Sequence, residues 1–366
     1  MLRCRPFSFP GKPRIRTGDT HRIGSVFQPI RTRRLVIRSL VPEDVPILHA
    51  RRNDPQVAEL EAWTLPYPYD KTEARVSRCI ELGGPADGEW WMAMVTVPDG
   101  TPVGDVAVRL TWGGRSAEVG YTLDPPHWGN GYATEATEAL VDWLFDDLGV
   151  HRVHATLDPA NTASARVLER VGMLYEGRAR ESFWKGDEVS DDLLYGMTKA
   201  DRDAWKQRPE HEPEAVELVE ITTDNYEAVA GLRVHHSQES QVASVLDSYA
   251  DAMFAGVEDD GPLLPWMRAV RADGELVGFV MVALPTEQRP EPYLWRLLVD
   301  RMHQGRGIGR RVIGILADDA RERGAPGMLV SWVESKGSPR RFYEKLGFVP
   351  TGRVVDGETE ARLALG

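Results

Sequence analysis

The chain has 366 residues, of which 42% are hydrophobic and 27% charged, and its net charge is −12 at neutral pH. That length suits two ordinary domains better than one, and the composition is that of a globular protein. No apolar run approaches the roughly 20 residues needed to span a bilayer, so no membrane segment is expected. The two cysteines, Cys4 and Cys79, give neither a disulfide framework nor metal-ligand spacing, which suits a reducing cytoplasm. Residues 1–34 hold nine Arg/Lys against the single acid Asp19, so the rest of the chain is more acidic than the total. An acidic body argues against nucleic acid as a partner and suits a cationic amine. The leader, residues 1–30, carries Pro6, Pro10 and Pro13 without an amphipathic stripe and reads as a flexible basic extension.

In chain order, residues 34–40 alternate and predict a strand, and 42–53 opens with Pro-Glu-Asp and predicts a helix with an acidic first turn. Residues 90–97 and 103–111 predict hairpin strands joined by Asp99-Gly100, and 118–123 a further strand. A helix is expected over 131–148, with Ala133, Ala136, Leu140, Trp143 and Leu144 on one face. A strand at 152–157 and a helix at 162–170 stopped by Gly172 complete this half. Residues 206–214 are charged, hold two prolines and lack an apolar period, which marks a linker. Beyond it come a strand at 216–221, helices at 225–232 and 242–254, and strands at 266–271 and 276–282 paired across Asp273-Gly274. Then follow a strand at 293–299, a helix at 307–323, a strand at 328–333 and a helix at 339–346. Strands bunched early with helices spliced between them indicate an α/β class with a mixed sheet.

The two halves repeat each other. WGNGYATEA (128–136) precedes NTASARVLERVGM (161–173), and QGRGIGRRV (304–312) precedes KGSPRRFYEKLGF (336–348). Gly131 and Gly307 are 176 residues apart, and Gly172 and Gly347 are 175 apart. Matching separations imply a tandem repeat, with domain one at 31–205 and domain two at 215–366. In each, a strand ends in a glycine turn that opens directly into a helix. Such a turn presents unpaired N–H groups and the positive end of the helix dipole, an anion site. The P-loop Gly-Lys-Ser/Thr is missing, and the spacing is not that of a dinucleotide fingerprint.

The pattern Gln/Arg-x-x-Gly-x-Gly/Ala resembles the signature of the Gcn5-related N-acetyltransferases (GNAT, acyl-CoA N-acyltransferases). Domain two supplies Gln304, Gly307 and Gly309, and domain one Trp128, Gly131 and Ala133. TRRLVIR (32–38) and EVGYTL (118–123) make domain one similar to ribosomal-protein N-terminal acetyltransferases. DNYEAVAGLRV (224–234), LWRLLVDRMHQGRGIG (294–309) and FYEKLGFVPTG (342–352) make domain two similar to bacterial spermine/spermidine acetyltransferases. The resemblance implies acetyl-coenzyme A as co-substrate, with no metal, and transfer of its acetyl group to a small cationic amine, polyamine, aminated antibiotic or peptide N-terminus. It also implies cofactor contacts from Leu123, Trp128, Gly129, Asn130, Gly131, Tyr132, Ala133, Thr134 and Asn161. In domain two these come from Leu298, Val299, Gln304, Gly305, Arg306, Gly307, Ile308, Gly309 and Arg310, with Arg306, Arg310 and Arg311 offsetting charge. Lys336 departs from the family, where an Asn is usual.

Acetyl transfer to an amine needs a free-base nucleophile, a polarised carbonyl and a proton for the departing thiolate. The resemblance assigns that last proton to Tyr343, which could equally pack its ring under the sheet. Domain one has Leu168 there, leaving Ser164 or a water, and Asn161 doubles as a helix N-cap. For a base, Glu118 is the candidate in domain one, and Glu291 or a relayed water in domain two. Residues 54–70 hold Glu59, Glu61, Trp63, Tyr67 and Tyr69, aromatic and acidic groups that suit a cationic acceptor or merely pack a loop. Glu258, Asp259 and Asp260 form a second acidic run, attractive to a polyamine or simply solvated. The pairs His151/His154 and His235/His236 lack metal-ligand spacing. The alternative is that one domain is catalytic and the other a non-catalytic cofactor-binding or structural module. The sequence carries no signal for oligomeric state.

Overall fold

The computed structural model describes residues 26–258, 261–335 and 337–366. Most of the leader and Lys336 lie outside these residues, and the acidic run Glu258, Asp259 and Asp260 lies outside the described side chains. By contact the chain divides into two units. One holds the residues up to Ala160 together with Glu176–Lys199, the other Asn161–Tyr175 together with Ala200–Gly366.

The first sheet is built from β1 (Ile30–Arg31), β2 (Val36–Ser39), β3 (Trp90–Thr96), β4 (Pro102–Thr111), β5 (Ser116–Leu123), β6 (Arg152–Leu157), β7 (Leu174–Lys185) and β8 (Glu188–Thr198), in the order β1-β2-β3-β4-β5-β6-β8-β7. Between β2 and β3 come α1 (Val45–Arg52), α2 (Pro55–Ala58) and α3 (Tyr69–Leu82). Helix α4 (Tyr132–Asp146) links β5 to β6, and α5 (Thr162–Val171) precedes β7. Strand β3 is buried at all but its first position, as expected of a central strand that needs apolar side chains on both faces. Helix α4 buries Ala136, Leu140, Val141, Leu144 and Phe145, close to the predicted stripe, each large side chain contributing about 1.5–3 kcal/mol. Trp143 packs edge-on to Phe27 with centroids 5.0 Å apart. Helix α1 starts at Val45 because Pro42–Asp44 forms a tight 3-10 turn, in which Asp44 accepts from the Val41 N–H at 2.9 Å and pairs with Arg38.

After α6 (Lys199–Gln207), the second sheet is formed by β9 (Val216–Val219), β12 (Pro265–Ala272), β13 (Glu275–Ala283), β14 (Tyr293–Val299), β15 (Gly327–Trp332), β16 (Val349–Val355) and β17 (Glu358–Ala364). Its order is β16-β17-β15-β14-β13-β12-β9, and β10 (Val257–Glu258) and β11 (Gly261–Pro262) form a separate small ladder. One face carries α7 (Tyr226–Ala230) and α8 (Val245–Met253), where Val229, Leu232 and Val245 meet Phe279, Met281 and Leu298. The other face carries α9 (Ile308–Glu322) and α10 (Arg340–Lys345). There Ile308, Val312, Ile313 and Leu316, spaced as one helix face, pack with Val280, Val282, Leu294 and Val330.

Both sheets are mixed, as expected, and each contains a parallel pair: β5 with β6 and β14 with β15. The predicted Asp273-Gly274 hairpin has positive φ at both residues, the geometry of a type I′ turn. Helix α3 and the β7–β8 and β16–β17 hairpins are not foreseen from the sequence. The last of these nonetheless carries Asp356-Gly357 with positive φ at both positions, the same short-range signal.

Candidate active site

In each unit the parallel pair parts soon after it forms. Strand β5 pairs with β6 from Ser116↔Arg152 to Glu118↔His154 and then runs on to Leu123, with no further ladder partner on that side among the described residues. Strand β14 pairs with β15 only at Tyr293↔Leu329 and Leu294↔Val330 before running on to Val299. The result is a V-shaped opening beside a strand edge that has left its ladder. The two openings are made differently. In β13–β14 the register shifts so that Trp295 bulges between Leu294 and Arg296, whereas β4–β5 stays in register from Gly104↔Leu123 to Thr111↔Ser116. A bulge re-aims side chains and unpairs the backbone at that point.

The glycine turns close the same end. Gly129 and Gly131 have φ of 76° each, and Gly305 and Gly307 have 78° and 75°, values that glycine adopts without steric cost. Helices α4 and α9 have Gly131 and Gly307 as N-cap residues and so no side-chain cap, which leaves first-turn N–H groups available to an anion. The Trp128 indole donates to the Leu123 carbonyl at 2.8 Å, and the Gln304 amide donates to the Val299 carbonyl at 3.0 Å. Trp128 and Gln304 therefore perform one task, fastening the turn to the end of the splayed strand. A Cβ on Gly129 or Gly305 would meet nothing within 4 Å, so the first glycine of each turn faces open space, whereas a Cβ on Gly131 would meet Arg34 at 3.5 Å and one on Gly307 would meet Glu212 at 3.1 Å and Arg310 at 3.3 Å. At Gly309 a Cβ would come within 3.2 Å of the Phe342 ring, so this glycine serves close packing of α9 on α10. Ile308 is buried, leaving its backbone alone for a ligand.

Each turn has an arginine–glutamate pair beside it, arranged differently. In the first unit Arg34 donates to the Asn130 carbonyl at 2.9 Å, pairs with Glu135 at 2.7 Å and lies 4.9 Å from the Tyr132 ring centre. Asn130 braces the turn by donating to the His127 carbonyl at 3.2 Å, while Ala133 and Thr134 lie within the first turn of α4. In the second unit the three arginines expected to offset cofactor charge are engaged by the chain itself. Arg306 donates to the His211 carbonyl at 2.8 Å, Arg310 pairs with Glu212 at 2.9 Å, and Arg311 donates to the carbonyls of Pro213 and Glu214.

Two sequence models fit the chain. Residues 34–174 match the description "Acetyltransferase (GNAT) domain", and residues 215–348 match "Acetyltransferase (GNAT) family". The chain belongs to the GNAT acetyltransferase family. It is 28% identical over 174 residues to the uncharacterized N-acetyltransferase p20 of Bacillus licheniformis, covering 46% of this chain and 94% of p20. It is 32% identical over 95 residues to the uncharacterized N-acetyltransferase YnaD of Bacillus subtilis, covering 26% of this chain and 56% of YnaD. For YnaD and several similar relatives the match spans about half of their length or less. A crystal structure of a GNAT-family acetyltransferase from Bacillus anthracis is 26% identical, with a TM-score of 0.42, and covers 47% of this chain and 99% of that one.

The remaining expected residues of the two GNAT domains find these places. Tyr343 is a core side chain, stacked on Trp332 at 5.8 Å and edge-on to Phe342 and Phe348. Burial, and then the nearby Tyr293, hold its phenol protonated well above the ordinary tyrosine range. Leu298 is buried in β14. Glu291 precedes the first residue of β14 and is paired with Arg362 at 2.8 Å. A seven-residue strand, roughly 20 Å long, separates it from the glycine turn, so it stands at the wrong end to serve the opening. Asn161 caps α5, accepting from the Ser164 N–H at 3.1 Å, and Leu168 is buried.

Glu118 is buried and held in an ion pair by Arg109, its partner across β4–β5. His154 lies opposite it on β6, and burial lowers that imidazole's pKa against the pull of Glu118. In residues 54–70 the aromatic pair expected to meet a cationic acceptor instead holds Arg52, whose guanidinium is 4.7 Å from Trp63 and 5.2 Å from Tyr67. Among the described residues Glu61 takes no such partner. Burial, with Asp105 adding to it and Arg52 and Lys185 opposing, pushes its carboxyl up to about 8.

Three charged side chains were not foreseen. Arg51, buried, binds Asp105 and Asp124 at 2.7 Å each, tying α1 to the residue that follows β5. Only Asp124, next to Leu123, had a sequence position that could have flagged it. Among the described residues, no group of His, Cys, Asp or Glu is placed to hold a metal ion, and no helix is long and apolar enough to cross a membrane.

Proposed function

We propose that the protein is an N-acetyltransferase that moves the acetyl group of acetyl-coenzyme A onto a primary amine of a small molecule or a peptide terminus. The observation that carries this reading is the pairing of a splayed strand with a glycine turn that opens a helix, present in both GNAT domains. We assign the working cofactor site to the first domain, because its turn has the Arg34 cation beside it. Acetyl-coenzyme A supplies the thioester. The first-turn N–H groups of α4 hold its diphosphate, with Arg34 adding charge, and the free edge of β5 presents N–H groups to the thioester carbonyl. The amine nitrogen bonds to the acetyl carbon as the carbon–sulfur bond breaks. We place the acceptor of the amine's proton in the segment 54–70, between the first helices of the domain, with Glu61 as its candidate because burial raises that carboxyl, and solvent protonates the sulfur because Leu168 cannot. Arg109 keeps Glu118 in a structural ion pair, which leaves it a weaker candidate for this task.

The test is a panel of amines with acetyl-coenzyme A, read by thiol release and by the mass of the acetylated product. Release that matches acetylated amine one to one is expected. Calorimetry showing no coenzyme A bound at the first domain would overturn the reading.

A further inference from the structure

In the second unit the linker does not hang free. Residues 208–215 run across the start of α9, fastened by the Arg306 and Arg311 bonds to backbone carbonyls described above. At its far end the Ala215 N–H donates to Asp273 at 3.0 Å, and the Asp273 N–H returns a bond to the Ala215 carbonyl at 3.2 Å. Arg306 is itself buried, accepted by His303 Nδ1 at 2.9 Å and lying 3.6 Å from Asp273. The segment thereby delivers one carboxylate to the turn. Glu212 Oε1 lies 3.1 Å from where a Cβ on Gly307 would stand and pairs with Arg310 at 2.9 Å.

We propose that this linker is a strap that closes the second glycine turn, with the Glu212 carboxylate standing in for an anion, so that coenzyme A enters the second domain only by displacing it. The inference rests on the reading of these turns as diphosphate sites. A turn of unpaired N–H groups attracts one anion at a time, and a diphosphate brought against a carboxylate already in place meets like charge in the same space. The fastening is uneven. The Glu212–Arg310 pair is more than half exposed on both sides, the kind of pair that contributes little, whereas Arg306 is buried. The tip of the strap can therefore lift while its two ends stay anchored. In the first domain the chain entering the sheet brings Arg34 to the matching turn, a charge that assists a diphosphate.

Calorimetric titration of coenzyme A into the full-length chain tests this, using wild type, Glu212→Gln and Glu212→Ala, each also combined with Gly131→Glu to silence the first turn. The expected result is one tight site in wild type. In both Glu212 variants a second site should appear or tighten at least fivefold, with the first site and the melting temperature unchanged. Equal affinity of the second site in wild type and both variants, or no binding there in any of them, overturns the strap. Loss of coenzyme A binding at the first site as well would instead remove the proposed function.

Discussion

The two glycine turns share a backbone and differ in what stands over them. Gly131 and Gly307 have φ within 1° of each other, and each turn is tied by a side-chain donor to the carbonyl at the end of a splayed strand. Yet at Gly131 the nearest side chain is Arg34, and at Gly307 it is Glu212, paired with Arg310. The domains also divide the chemical groups unequally: the second has the bulged strand and Tyr343, the first an in-register strand and Leu168. A repeated backbone motif fixes where an anion can sit, and neighbouring charge decides whether a ligand or the chain itself takes the place.

The sharpest way to break the comparison is Gly131→Glu. An L-residue at positive φ costs about 1–2 kcal/mol, and its carboxylate would face the diphosphate. Coenzyme A affinity at the first domain should fall by about 100-fold in calorimetry. If turnover survives that loss, the second domain is doing the work. Next in size is Tyr343→Phe in the Glu212→Gln background. The ring keeps its stacking on Trp332, so the melting temperature should hold. The thiol release unlocked by Glu212→Gln should drop by at least about tenfold, with coenzyme A affinity kept, if the phenol serves as acid.

Arg34→Glu makes the first turn resemble the second. It should weaken coenzyme A there about fivefold, which a competition assay against wild type would read. Arg34→Lys should recover most of the loss.

The smallest effect concerns pH. A carboxyl raised to about 8 in the folded protein binds a proton that the unfolded chain has already released above its ordinary value near 4.5. Stability from this group is therefore present at low pH and declines as pH rises from about 4.5 to about 8, then levels off. Glu61→Gln should flatten that decline in denaturant midpoints taken at pH 5, 6.5 and 8. It should also remove a rise in turnover through about pH 8, and an unchanged rise would return the base role to Glu118.

The family, the repeat and most elements were legible in the sequence because their signals are local. Glycine at positive φ, Asp-Gly at a type I′ turn and an apolar stripe along α4 or α9 each reflect a residue's own backbone or its neighbours within one turn of helix. The end of 162–170 at Gly172 is of the same kind, since the glycine takes φ of 95° there. Tyr343 was legible only in position, and its burial depended on Trp332, Phe342 and Phe348 meeting around it.

What the sequence determined by itself is thus two glycine-turn domains of one family. Only the tertiary structure decided which charges attend each turn. Arg34 reaches Asn130 across 96 residues, and Arg310 reaches Glu212 across 98. Arg52 fills the aromatic pair that a substrate cation was expected to meet. Such pairings leave no periodicity to read, because an exposed arginine or glutamate satisfies the same local pattern whether it faces water, a ligand or its own chain.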